Sequence, residues 1–213
     1  MKIIGQHAIY AAHNNKKRNS NQVFYGTKDI YNKLNLRCQF QQSEFEYLLV
    51  SEVYVKTSFE DILESERIIL VDGIFDPRNL GSIIRTAAAL GFNVITRKSK
   101  GCVVNDTVIK CASGGIENIE LYECTNLVEN IKKMKKNDFW LVGLHETGKD
   151  NINFITSNEK FKKIVLVIGS ENTGISAQLL KDLDFIISIP TTEFSTLNAS
   201  VAAALGMFLF NNA

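Results

Sequence analysis

The chain has 213 residues, 45% of them hydrophobic, enough to bury a real core in one or two domains. Its 24 Lys and Arg against 23 Asp and Glu leave a net charge of +1, which argues against a protein that coats nucleic acid by charge alone. Only Pro77 and Pro190 are present where ordinary usage gives about ten prolines, so a collagenous, low-complexity or disordered chain is not expected.

The first 65 residues read as a small α/β domain: a helix beginning over 7–13, a short strand at 23–25, a helix over 29–34 and strand material over 45–54. The charge balance changes sign inside this stretch. Residues 1–40 carry seven basic side chains against one acid, net +6, and residues 41–72 carry eight acids against two basic residues, net −6. The acidic run 60–66 marks a boundary, with a second domain expected over 66–213. There, apolar strands at 68–71, 92–95, 119–122, 139–142, 164–168 and 185–189 alternate with helices at 77–90, before Gly114-Gly115, at 125–136, at 175–183 and at the end. Continuous apolar runs separated by helices predict an α/β domain with a mostly parallel sheet and helices on both faces.

Four scattered cysteines, Cys38, Cys102, Cys111 and Cys124, form no C-x-x-C pair, the pattern of a reduced, cytoplasmic chain. No secretory signal opens the sequence, and its longest apolar run, residues 201–210, is short of the ~18–20 residues that cross a bilayer. No membrane partner is expected. His7, His13 and His145 have no ligand spacing with the cysteines, so no metal is expected either.

In a parallel α/β sheet, ligands bind beyond the carboxyl ends of the strands. Three loops there carry unusual residues. After the first strand, Asp76-Pro77 fits a helix cap and first turn, and Leu80, Ile83, Ile84, Ala87 and Ala88 make an inward stripe bordered by Arg85. By pattern alone Arg85 is equally a solvated helix arginine. Gly169-Ser170-Glu171-Asn172-Thr173-Gly174 lacks the Lys of a phosphate-binding P-loop, and no G-x-G-x-x-G follows any strand. What remains is a turn that presents bare backbone amides beside the Glu171 carboxylate, or a plain tight turn. The third loop, residues 189–200, is rich in hydroxyls and amides at a helix start, which suits a polar cofactor as well as ordinary capping by Ser195 or Thr196. A hydrolase G-x-S-x-G elbow is absent.

In this order, each after a strand, the three loops resemble the SpoU family of RNA ribose methyltransferases in the SPOUT class. Asn79-Leu80-Gly81-Ser82-Ile83-Ile84-Arg85 is similar to the first family motif. Ile168-Gly169-Ser170-Glu171-Asn172-Thr173-Gly174 is similar to the second, and Ile189-Pro190 with Thr196-Leu197-Asn198-Ala199-Ser200 to the third. The segment Lys110-Cys111-Ala112-Ser113-Gly114-Gly115-Ile116-Glu117 resembles the branch that methylates large-subunit ribosomal RNA, and Gly5-Gln6-His7-Ala8-Ile9 resembles the start of the small ribosomal-protein-like domain many members carry. Two departures stand in the third motif: Thr196 and Ala199 replace the usual Ser and Val, and the loop 190–196 lacks the usual glycine and is one residue short.

The resemblance implies methylation of a ribose 2′-hydroxyl by S-adenosylmethionine, with ribosomal RNA favoured. A transfer-RNA ribose methylase or a non-catalytic RNA-binding assembly factor on the same fold is the alternative. It implies that Gly169, Ile189, Thr196 and Leu197 line the cofactor, that Leu144 borders the adenine, and that Asn79, Arg85, Glu171 and Asn198 form the polar active site. It further implies a C-terminal trefoil knot and a two-fold homodimer. The basic N-terminal segment, with His7, Lys16, Lys17 and Arg18, is expected to hold RNA.

Overall fold

The computed structural model describes residues 1–18, 21–51, 57–192 and 197–211. Two sheets form. The smaller takes β1 (Lys2–Ile4), β2 (Val23–Gly26), β3 (Gln39–Gln42) and β4 (Tyr47–Leu49) in the order β1-β4-β2-β3, parallel between β2 and β3 and antiparallel elsewhere. Helices α1 (Gln6–Asn14) and α2 (Lys28–Lys33) accompany it, and Ile3, Ile9, Phe24 and Leu48 fill its core. The sequence pattern misses β3 because its residues, Gln-Phe-Gln-Gln, are polar at a sheet edge.

The larger sheet is parallel throughout, ordered β10-β8-β9-β5-β6-β7, from β5 (Arg67–Asp72), β6 (Asn93–Arg97), β7 (Leu121–Cys124), β8 (Trp140–Leu144), β9 (Ile164–Gly169) and β10 (Phe185–Ile187). Its four inner strands, β8, β9, β5 and β6, are buried on both faces because alternate residues serve two cores, and the edge strands β10 and β7 are only partly covered. Ile69, Val71, Leu166 and Ile168 point to the side covered by α4 (Pro77–Leu90), α5 (Asp106–Ala112) and α9 (Ala199–Asn211). Ile68, Leu70, Val165 and Val167 point to the side covered by α3 (Phe59–Leu63), α6 (Leu127–Lys136) and α8 (Ala177–Leu180).

Helix α4 begins and ends where the sequence puts it. The Asp76 side chain accepts from the Arg78 amide at 2.8 Å, Pro77 opens the first turn, and Gly91 closes the helix at φ 71°, a left-handed conformation that glycine adopts without strain. Other boundaries differ. The expected helix over 175–183 is one turn, α8, because the Asp184 amide is already drawn to the Leu141 carbonyl to start β10. A short helix, α7 (Ile152–Thr156), was not expected, and it covers the sheet with Ile155. The boundary expected near 65 meets a different packing: Phe59 and Ile62 of α3 lie in the core of the larger sheet.

Strand β5 lies between β9 and β6, so the chain order reverses beside it, and next to this switch point a cleft opens beyond the carboxyl ends of β9, β8 and β10. Residues 145–150 wrap the end of β10: His145 donates its amide to Ile187, Lys149 and Asp150 donate theirs to Ile186, and Ser188 Oγ donates to the Gly148 carbonyl. The return path to α9, which the expected knot requires, runs through 193–196, outside the described residues.

Candidate active site

The three loops singled out in the sequence meet at the carboxyl end of the larger sheet. The second is a closed turn. Ser170 and Gly174 exchange backbone hydrogen bonds at 3.0 and 3.1 Å, and the Ser170 and Thr173 hydroxyls meet at 2.7 Å. Gly169 is obligatory: a Cβ there would stand 2.0 Å from the Gly174 carbonyl carbon. Gly174 itself sits at φ 62°.

From this turn Glu171 accepts a 2.6 Å hydrogen bond from Asn79 Nδ2 on α4. Asn79 Oδ1 in turn accepts from Asn198 Nδ2 at 3.0 Å. Asn198 Oδ1 accepts from the Ser200 amide at 2.9 Å and the Ser200 hydroxyl at 2.6 Å, so its other end caps α9. One hydrogen-bonded chain therefore joins the three loops, and it fixes which way both amides point.

Beside this chain lies a cleft of about 630 Å³ lined by Leu144, Ile168, Gly169, Ile189 and Leu197 together with the 170–174 turn. Four of the five residues expected around the cofactor are in that lining. The fifth, Thr196, falls outside the described residues. The lining also includes His145, Glu146, Ser188 and Thr191, which the sequence reading did not select. His145 and Glu146 directly follow Leu144, so inspecting the loop after β8 as closely as the other three would have found them. The only charged side chains in the lining are two carboxylates, Glu146 and Glu171, with no Lys or Arg among the described residues.

Arg85 stands apart. It is exposed on α4, on the side where Gly115 approaches, and it does not line the cleft. No hydrogen bond or ion pair engages it among the described residues. Beneath the site, Asp72 at the end of β5 is fully buried and pairs with Arg97 at 2.6 Å and Lys100 at 3.4 Å.

Among the four N-terminal residues expected to meet RNA, His7 and Lys16 are exposed. Lys17 is ion-paired with Glu120. Arg18 corrects the expectation: its side chain is 2% exposed and holds Glu117, so its charge is spent inside the protein and not offered to RNA. His13 is also structural. Its Nε2 accepts from the Arg37 amide at 2.9 Å, which leaves Nδ1 to donate to Gln22 Oε1 at 2.8 Å.

Residues 66–208 match the SpoU rRNA Methylase family. A Staphylococcus aureus (strain COL) protein assigned to the TrmH family of tRNA/rRNA methyltransferases is 36% identical over 164 residues, which is 73% of this chain and 65% of that protein. The chain thus spans about two-thirds of the length of the curated relatives it matches. In fold it is similar to the SpoU methyltransferase AviRb from Streptomyces viridochromogenes, with TM-score 0.84 and 21% identity, over 100% of this chain and 88% of that one. It is also similar to an rRNA methyltransferase from Sinorhizobium meliloti, with TM-score 0.80 and 18% identity, over 99% and 86% of the two chains.

Proposed function

The chain belongs to the SpoU rRNA Methylase family, and from that premise we propose that it transfers a methyl group from S-adenosylmethionine to a ribose 2′-hydroxyl of RNA, ribosomal RNA foremost. The observation that carries this reading is the Asn198–Asn79–Glu171 chain at the edge of an acidic cleft. Glu146 and Glu171 suit a ligand bearing a sulfonium and an ammonium group, whereas a polyphosphate would be repelled. The volume also lies in the usual range for small-molecule sites, roughly 300–1,000 Å³. AviRb and the Sinorhizobium meliloti enzyme have each been solved with AdoMet, which supports the same ligand here.

When bound, S-adenosylmethionine supplies a methyl group already activated on sulfur. The chain's own work is then to hold and align. Leu144, Ile189 and Leu197 offer an apolar slot for the adenine, and the Gly169–Gly174 turn, closed tightly on itself, lines the cleft beside it. Alignment of two reactants contributes ~7–11 kcal/mol in favourable cases. Asn79 and Asn198 keep Glu171 in place. The Arg85 guanidinium offers N–H donors and no lone pair to take up a proton, so its role is to stabilise the negative charge that develops on the 2′-oxygen.

Since Arg85 does not line its own cleft, two copies of the chain are expected to complete each site. Helix α9 fits such pairing. It buries Ala199, Ala203, Met207 and Phe210 on one side and leaves Val201, Leu205 and Phe208 exposed on the other, an apolar stripe at helical spacing. His7 and Lys16 remain as the N-terminal contacts for RNA, and the small sheet with α1 and α2 is assigned to substrate binding, α3 belonging to the core of the larger sheet. Transfer RNA is the second reading, favoured by the naming of the relatives as tRNA/rRNA enzymes.

The test is calorimetric titration with S-adenosylmethionine, followed by methyl transfer to unmodified ribosomal and transfer RNA transcripts and mapping of the methylated ribose. Binding plus transfer to one RNA class is expected. RNA binding without cofactor binding would instead identify a non-catalytic assembly factor.

A further inference from the structure

The two sheets are joined by a buried charge pair. Helix α1 ends against the short 3-10 turn Gly115–Glu117, where Arg18 grips Glu117 with two bonds, Nε to Oε2 at 2.8 Å and one terminal nitrogen to Oε1 at 2.6 Å. The two side chains are 2% and 3% exposed. Asn15 Nδ2 adds a third bond to Glu117 Oε2 at 2.8 Å. Three residues further on, Glu120 pairs with Lys17 and accepts from Thr57 Oγ1 at 2.7 Å.

The turn that receives Arg18 is also the floor beneath Arg85. Gly114, at φ 88°, lets α1 approach so closely that a Cβ there would stand 3.2 Å from the Ala8 Cα. Gly115 does the same for α4: a Cβ there would stand 2.9 Å from the Arg85 Cα. Between the backbone of α1 and the backbone of α4 at Arg85 there are thus only two glycines, and Glu117 anchors them.

A buried ion pair is a weak device for stability alone, because desolvation offsets most of the attraction and an apolar pair would serve as well. What a two-bond fork adds is a fixed relative orientation. Units of one chain ordinarily move against each other unless their interface is large and apolar. We propose that Arg18 and Glu117 are a positioning pair: they lock the N-terminal unit, with the RNA it carries, in one orientation over the Gly114–Gly115 step, and so select which ribose reaches Arg85. This inference rests on the function proposed above.

The experiment uses the full chain with Arg18→Met/Glu117→Met, which replaces the pair by apolar side chains, and with Arg18→Lys, which keeps the charge and loses the fork. S-adenosylmethionine affinity, RNA kinetics on unmodified ribosomal and transfer RNA transcripts and the map of methylated riboses are compared with wild type. Both variants are expected to bind S-adenosylmethionine within twofold of wild type. Their RNA KM rises about tenfold or more, kcat falls less, and methylation spreads to riboses flanking the wild-type target. A purely structural pair would change the melting temperature or the amount of product but not its position. Methylation at the same single nucleotide with kcat/KM within twofold of wild type in Arg18→Lys overturns the proposal, and this variant decides the matter if the double variant does not fold. A wild-type chain that binds no S-adenosylmethionine and methylates no RNA is a different result, and it overturns the function on which the pair's role is built.

Discussion

The buried carboxylate of Asp72 accepts the backbone amide of Ser176 at 2.8 Å, which ties the end of β5 to the chain just past the 169–174 turn. Asp72 is also the register partner of Gly169, where that turn begins. The buried acid thus holds the far end of the second loop, strand pairing at Gly169 holds the near end, and Arg97 and Lys100 neutralise the carboxylate. Burial alone would push its pKa up, but hydrogen bonds from Ser176 and Arg97 and the charge of Lys100 outweigh that and hold it below the ordinary carboxylate value.

That balance gives stability a pH dependence of known sign. With the folded pKa below the unfolded value of roughly 3.9, the contribution of Asp72 is complete above the unfolded value and is lost as pH falls through the folded one. Asp72→Asn is expected to lose about 3–5 kcal/mol at pH 7. Urea melts of variant and wild type should converge as pH drops below about 4; a constant gap across that range would show that Asp72 is not the titrating group.

Asn79→Ala removes both bonds in the middle of the Asn198–Asn79–Glu171 chain. These side chains lie at the protein surface, so the melting temperature should change little. Methyl transfer should fall on the order of 10²-fold, the usual scale for losing one aligned polar group at a reacting centre. Steady-state kinetics alongside a thermal melt separates the two.

Arg85→Ala should retain S-adenosylmethionine binding within twofold while kcat falls on the order of 10²–10³-fold. Because two copies are proposed to complete each site, mixing this variant with Glu171→Ala should recover part of the activity that neither shows alone. No recovery would place both residues of a working site in one chain.

Leu205→Glu puts a charge in the exposed stripe of α9, on the face opposite the buried Ala203 and Met207. The variant is expected to remain folded and to run as a monomer where wild type runs as a dimer, measured by light scattering on a sizing column. Wild-type protein of monomer mass would remove the basis for shared sites.

Gly81→Ala tests the contact between α4 and α5. A Cβ at Gly81 would stand 2.5 Å from the Cys111 Cβ and 2.7 Å from the Val108 carbonyl oxygen, so a rigid neighbour must move. Alanine gains about 1 kcal/mol in helix propensity over glycine, but overpacking costs about 1–3 kcal/mol and is expected to win. Chemical denaturation should show a net loss; a gain would mean that α5 can shift freely.

The sequence determined the elements whose residues share one pattern and one fate. Helix α4 was legible to the residue because an Asp cap, a first-turn proline, an apolar stripe and a closing glycine all act within the segment. The inner strands of the parallel sheet were legible because burial on both faces demands unbroken apolar runs, whereas edge strand β7, Leu-Tyr-Glu-Cys, starts two residues later than expected; three motifs named Asn79, Glu171 and Asn198 together. The tertiary structure alone decided how those motifs meet, since hydrogen bonds between residues 92 and 119 positions apart leave no local trace. It also decided what each charge is for. Arg18 stands in the same basic run as Lys16, but ninety-nine residues away Glu117 claims it, and a buried arginine with a carboxylate on its fork has no charge left for RNA.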